Sequence, residues 1–158
     1  MRGPMAAAIE EARASVEENG LPIGSSVARK DRILGLGRNR FRQTGDPTSH
    51  AEMEAIRDAA RRTPVDVDAL FKGATIYTTM MPCEMCAGAI IRFGITRVVV
   101  AETRTYTDPG TRQLLERQGI TVEVSDEQAS IDLVEDFCAR HPEWEAMMRA
   151  RKRKRLVL

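Results

Sequence analysis

Two short stretches constrain this chain more than any other feature. One is Met81-Pro82-Cys83-Glu84-Met85-Cys86, and the other, some thirty residues earlier, is Ser49-His50-Ala51-Glu52. Residues three apart on a helix share a face, so Cys83 and Cys86 can grip one ion from a single first turn. Residues two apart point away from each other. His50 and Glu52 can therefore serve one site only if it lies off the N-terminus of their helix. Asp46-Pro47-Thr48-Ser49 is a stop followed by a helix start, which sets His50 and Glu52 at that end. The fold must then bring two helix N-termini together, each with a partial positive charge that favours thiolates.

His50, Cys83 and Cys86 are the candidate ligands of a zinc ion. Three protein ligands leave the fourth tetrahedral position open, which marks a catalytic rather than a structural zinc. The remaining cysteine, Cys138, and the other histidine, His141, are far along the chain, so a closed structural site is hard to assemble. Alone, H-x-E reads as a capped helix start, and C-x-x-C as a redox pair or core residues. Neither reading explains the two motifs in order with the proline between them. Cys138 sits in a helical pattern and reads as a small buried hydrophobe.

The 158 residues suit one domain with a sizeable core, expected over residues 1–148, followed by a tail at 149–158. Three cysteines, two of them in C-x-x-C spacing, argue for a reduced compartment and against a disulfide framework. No apolar run is long enough to span a membrane, and no signal peptide is evident, so the expected location is cytoplasmic. The net charge of +1 hides an asymmetry. Arg149 to Arg155 contains six basic residues, and without them the chain carries 18 basic against 23 acidic groups, a net of −5. A mildly acidic body disfavours a broad nucleic-acid surface.

Periodicity predicts helices over Met5–Glu18 (ended by Gly20), His50–Arg62, Cys83–Phe93, Thr111–Gln118 and Asp126–Arg140, with a last one from Pro142. Strands are expected from about Gly24 to Arg29, Arg32–Arg40, Ala74–Thr79, Thr96–Ala101 and Ile120–Val124. Lys30-Asp31 makes the first two a hairpin. A helix between the last two makes that pair parallel. The small residues Gly24, Ser25, Ser26, Gly35 and Gly37 imply a close approach to the backbone. The apolar run Ala87-Gly88-Ala89-Ile90-Ile91 predicts a helix buried on most sides. The fold class is α/β, a five-stranded mixed sheet with helices on both faces.

H-x-E followed by P-C-x-x-C is the signature of zinc deaminases. At these residues the chain resembles the cytidine deaminase superfamily, and more closely the fungal-type cytosine deaminases. The resemblance extends through Gly20–Gly24, Gly37–Gln43 and, most specifically, Tyr77–Val100. It implies a three-layer α/β/α fold, a zinc cofactor and a homodimer with the Cys83–Phe93 helix near the interface. It also implies hydrolytic deamination of a small aminoheterocycle, free cytosine to uracil in the first instance. Glu52 is then the catalytic proton shuttle. Asn39 resembles the asparagine that binds the base, and the Ala51 N–H the amide that meets the substrate carbonyl. The Met81 carbonyl resembles the one that receives the amino group, and Ile23 resembles a pocket wall. Tyr106 stands where a phenylalanine stacks, and Trp144 resembles the C-terminal aromatic lid.

Without the resemblance Asn39 reads as a turn residue, Tyr106 as a surface aromatic and Trp144 as a packing anchor. One position departs from the pattern. An aspartate is expected three residues after the lid tryptophan, and Met147 stands there. Guanine, isocytosine or a creatinine-like ring therefore remain alternatives; guanine deaminases share the Asp46-Pro47-Thr48 lead-in. A tRNA adenosine deaminase has both zinc motifs, and a zinc-stabilised binding module is the non-enzymatic alternative.

Overall fold

The computed structural model describes residues 3–64 and 66–147. The basic tail expected over 149–158 lies outside them. The chain runs α1 (Pro4–Glu17), β1 (Gly24–Arg29), β2 (Arg32–Arg38), α2 (Phe41–Thr44), α3 (Ala51–Arg62), α4 (Val67–Phe71) and β3 (Thr75–Thr78). It continues with α5 (Glu84–Phe93), β4 (Arg97–Val100), α6 (Pro109–Arg117), β5 (Thr121–Val124) and α7 (Gln128–Arg140). Residues 142–147 are also helical. One five-stranded sheet has the order β2-β1-β3-β4-β5. β1 is antiparallel to both β2 and β3, while β3–β4 and β4–β5 are parallel. The expected mixed sheet, hairpin and parallel final pair are all present.

Alternation along the strands divides the core in two. Ile76, Val98 and Val100 pack with Ala55, Ile56 and Ala59 of α3 and Ala87 and Ile90 of α5. Val99 and Ala101 face the other way, onto Met5, Ala8 and Ile9 of α1, with Ala129 of α7 beside them. Helices thus cover both faces.

The close approach expected at the small residues is made by two helices. A Cβ on Gly37 would lie 2.2 Å from the Ala55 nitrogen and 2.3 Å from the Ala51 oxygen. One on Gly35 would lie 2.4 Å from both the Ala55 oxygen and the Ala59 nitrogen. Ala51, Ala55 and Ala59 recur every fourth residue along the same face of α3 and are fully buried. Helix α3 therefore rests backbone against backbone on β2, and its N-terminus is held at a fixed depth.

Several sequence expectations need correction. Helix α5 is not enclosed on most sides. Cys86, Ala87 and Ile90 are buried, but Gly88 is exposed and Met85, Ala89, Ile91 and Phe93 are only half-buried. An apolar run shows that a helix is apolar around its circumference, but not that one chain covers it all. The left-handed residue after α1 is Asn19, with φ 62°, rather than Gly20. Gly94 does take the left-handed conformation expected of a C-cap, with φ 76°. Cys138 is half-buried rather than fully so. The short helices α2 and α4 have no counterpart in the sequence reading, and several element ends move by one or two residues.

Candidate active site

His50 is the N-cap of α3 and Cys83 the N-cap of α5, and neither side chain caps its own helix. Both side chains turn towards a common point. The His50 Nδ1 lies 3.5 Å from the Cys83 Sγ and 3.6 Å from the Cys86 Sγ. All three ligand atoms fall within 4.8 Å of one another. Zinc–sulfur bonds of about 2.3 Å and a zinc–nitrogen bond of about 2.0–2.1 Å at the tetrahedral angle require a nitrogen–sulfur separation of about 3.6 Å. The donor set and its spacing fit zinc, as the sequence spacing predicts. Bound there, zinc supplies Lewis-acid activation of a water molecule near neutral pH.

The thiols are electrostatically unequal. A hydrogen bond from Cys86 and another from His50 hold the Cys83 thiol down to about 3, despite partial burial. Cys86, hydrogen-bonded to Cys83 and buried, is pushed up. Of the two thiols, Cys83 is thus the readier to give up its proton to a metal.

Glu52 is 3% exposed, in the first turn of α3. Its Oε2 accepts from the Cys86 Sγ at 3.4 Å, and its Oε1 lies 3.1 Å from the Thr78 hydroxyl. Thr78, at the end of β3, also reaches the Met80 carbonyl at 3.0 Å. Burial pushes the Glu52 carboxyl up, against backbone hydrogen bonding that pulls it down, and the Cys83 charge adds to the rise. A nearby dication acts in the opposite direction. Such a carboxyl is poised to exchange protons.

These residues open onto a cavity of about 140 Å³. Asn39, Ile23, His50, Glu52, Met81, Cys83, Tyr106 and Trp144 all line it, so eight of the residues singled out in the sequence converge here. Ala51 lies behind them as the first helical residue of α3, where its N–H has no intrahelical acceptor. Asn39 is locked: its N–H donates to the Ile23 carbonyl at 2.9 Å, and its Oδ1 accepts the Phe41 N–H at 3.1 Å. Trp144 is both packing anchor and wall, edge-on to Phe137 at 5.2 Å between centroids.

Sequence reasoning missed Thr78 and Glu102. Glu102 is fully buried just beyond β4 and accepts N–H groups of Arg104 at 2.7 Å and Thr105 at 2.9 Å, as well as the Thr105 hydroxyl. It folds the loop that carries Tyr106. The inward parity of Thr78 in β3 is a signal for the first. A glutamate in a loop ordinarily reads as solvated, so nothing in the sequence marks the second.

A family model of the cytidine and deoxycytidylate deaminase zinc-binding region matches residues 3–102. A cytosine deaminase of Candida albicans is 36% identical over 137 residues, covering 86% of this chain and 87% of that protein. A tRNA-specific adenosine deaminase of Buchnera aphidicola is 33% identical over 125 residues, or 78% and 80% of the two chains. A guanine deaminase from Nitrosomonas europaea superposes with a TM-score of 0.74, covering 86% of this chain and 83% of that one. At 24% identity this shows the shared fold alone. With the metal-ligand geometry and the matching region in agreement, the chain belongs to the cytidine and deoxycytidylate deaminase family of zinc-dependent enzymes.

Proposed function

We propose that this enzyme deaminates a small free aminopyrimidine, with cytosine to uracil and ammonia as the parent reaction. The observation that carries the reading is the buried Glu52 carboxyl beside the three-ligand cluster, at the floor of a small cavity. The identity with a cytosine deaminase over most of both chains supports it.

In this reading Glu52 takes a proton from the attacking water and delivers it to the ring nitrogen N3 as the C4–O bond forms. The second proton, from the new hydroxyl, passes through Glu52 to the exocyclic amine. The C4–N bond then breaks and ammonia leaves. Thr78 holds the carboxyl in place. Asn39 and the Ala51 N–H meet the base, the Met81 carbonyl receives the amino group, and Ile23, Tyr106 and Trp144 enclose the ring. Ammonia release from cytosine by zinc-loaded protein tests this, with Glu52→Ala as the control. Release that survives the substitution refutes the role of Glu52; none from folded wild-type protein refutes cytosine.

The relatives that act on tRNA keep a second reading in view, but no Lys or Arg lines the cavity among the described residues. We further propose a single domain over 1–148 that works as a homodimer in a reducing cytoplasm. The open face of α5 around Gly88 and Ile91, together with the 37% exposed Leu114 on the adjoining α6, supports the dimer. The three free thiols suit that compartment, and among the described residues no helix is long and apolar enough to cross a membrane.

A further inference from the structure

The cavity has a polar floor and an apolar mouth. Glu52 and Met81 at the floor are each 3% exposed. The exposed lining residues are Phe41, Pro47 and Met147, with no polar side chain among them. Phe41 and Met147 are 38% and 39% exposed, two of the few large apolar side chains left open to solvent among the described residues. Among the described residues, no carboxylate apart from Glu52 lines the cavity, and neither Lys nor Arg does.

The polar walls donate. Asn39 has its Oδ1 engaged by the Phe41 N–H, which leaves its amide hydrogens to offer. The Trp144 indole N–H is buried and has no acceptor among the described residues. The walls therefore suit a ring edge that accepts, and they offer little to a ring N–H.

Ring geometry decides where such an N–H would fall. In a 4-aminopyrimidin-2-one the carbon that loses its amine, C4, is opposite N1. With C4 at the floor beside Glu52, N1 points to the mouth. An N1–H then meets a thioether, an aromatic ring and a proline. An alkyl group there meets the same three as apolar contact. A phosphorylated sugar finds no Lys or Arg in the lining among the described residues, and a bare sugar places hydroxyls against apolar surface.

From this arrangement we infer that the enzyme selects pyrimidines bearing a small alkyl group on N1 over both the unsubstituted base and its nucleosides or nucleotides. The inference rests on the deaminase reading above and deepens it. The walls supply hydrogens to the 2-oxo edge, and Met147 is the specificity-determining residue at the mouth.

The test is ammonia release by the zinc-loaded protein from cytosine, 1-methylcytosine, cytidine and cytidine monophosphate, in wild type and Met147→Asp. The expected kcat/KM for 1-methylcytosine exceeds that for cytosine by about fourfold, from the burial of one carbon against the apolar mouth. Met147→Asp supplies an acceptor and reverses the ratio. Three results overturn the inference: faster turnover of cytosine, a preference for cytidine or its phosphate, or a ratio unmoved by Met147→Asp. Ammonia from cytosine with no gain for 1-methylcytosine leaves the deaminase reading standing and sinks this one. If no pyrimidine is turned over, titration calorimetry on Glu52→Ala decides. Tighter binding of 1-methylcytosine sustains the selection rule, and equal or absent binding of the two bases ends it.

Discussion

Gly37→Ala tests how the fold holds the metal site. The added Cβ would sit 2.2 Å from the Ala55 nitrogen and 2.3 Å from the Ala51 oxygen, where ordinary contact begins at 3.4 Å. Both atoms are helix backbone, so no side chain can rotate away. Relief requires α3 to rise from β2 by about 1.2 Å, the difference between 3.4 and 2.2 Å. Overpacking of this kind costs about 1–3 kcal/mol. The clash falls on the first turn of α3, so the rise carries His50 and Glu52 with it. Zinc sites hold their distances to about 0.2 Å, and a displacement of about 1 Å in a catalytic group costs about 100-fold in rate. The expected result is a loss of 1–3 kcal/mol in urea unfolding with a larger proportional loss of zinc affinity, measured by chelator competition. Gly35→Ala is the matched control. Its clash, 2.4 Å from Ala55 and Ala59 backbone, lies about one turn further from the site. It should lose similar stability and less zinc affinity. Stability within 0.5 kcal/mol of wild type and unchanged affinity in Gly37→Ala would refute the reasoning.

Thr78→Val removes the hydroxyl beside Glu52 and should lower kcat about tenfold with little change in KM or zinc content, read from steady-state kinetics and metal analysis. Glu102→Ala leaves the Arg104 and Thr105 amides without their acceptor, about 1–3 kcal/mol for each buried donor. It should raise KM through Tyr106 more than it lowers kcat; an unchanged KM counts against that link. Gly88→Ala meets nothing within 4 Å and should stabilise the isolated chain by about 0.5–1 kcal/mol in thermal unfolding. Ile91→Glu should yield a monomer in sedimentation if the open face of α5 is where two copies meet. A dimer that persists there moves the interface elsewhere.

The metal ligands were legible because their chemistry fixes residue types, spacing and helix ends together. The sheet was legible because strand alternation and the helices between strands restrict the pairing. Helices α2 and α4 were not, since elements of four and five residues carry too few positions for a period to register. The side chain of Asp66, capping α4 through the Asp68 and Ala69 amides, was the available cue. Gly35 and Gly37 announced a close neighbour without naming it, because the partner is set by tertiary packing. The enclosure of α5 was overread for a related reason: hydrophobicity along a segment says nothing about what stands opposite. Glu102 was hidden because burial of a loop carboxylate depends on amides that the same loop must first fold to present.

The match to the family's zinc-binding region ends at Glu102. Tyr106, Trp144 and Met147 all come later in the chain, yet they close over the ion-binding corner from outside. On the reading proposed above, the reacting groups and the inner wall of Ile23, Asn39 and Met81 lie within the matched region, and the later portion adds the outer wall. The first portion is tied into a sheet and two helix ends, where small shifts are punished. The second is a loop and the helical residues 142–147, whose wall residues can be exchanged with the ligand triad untouched. A lineage built this way can try new rings one wall residue at a time while keeping its chemistry intact.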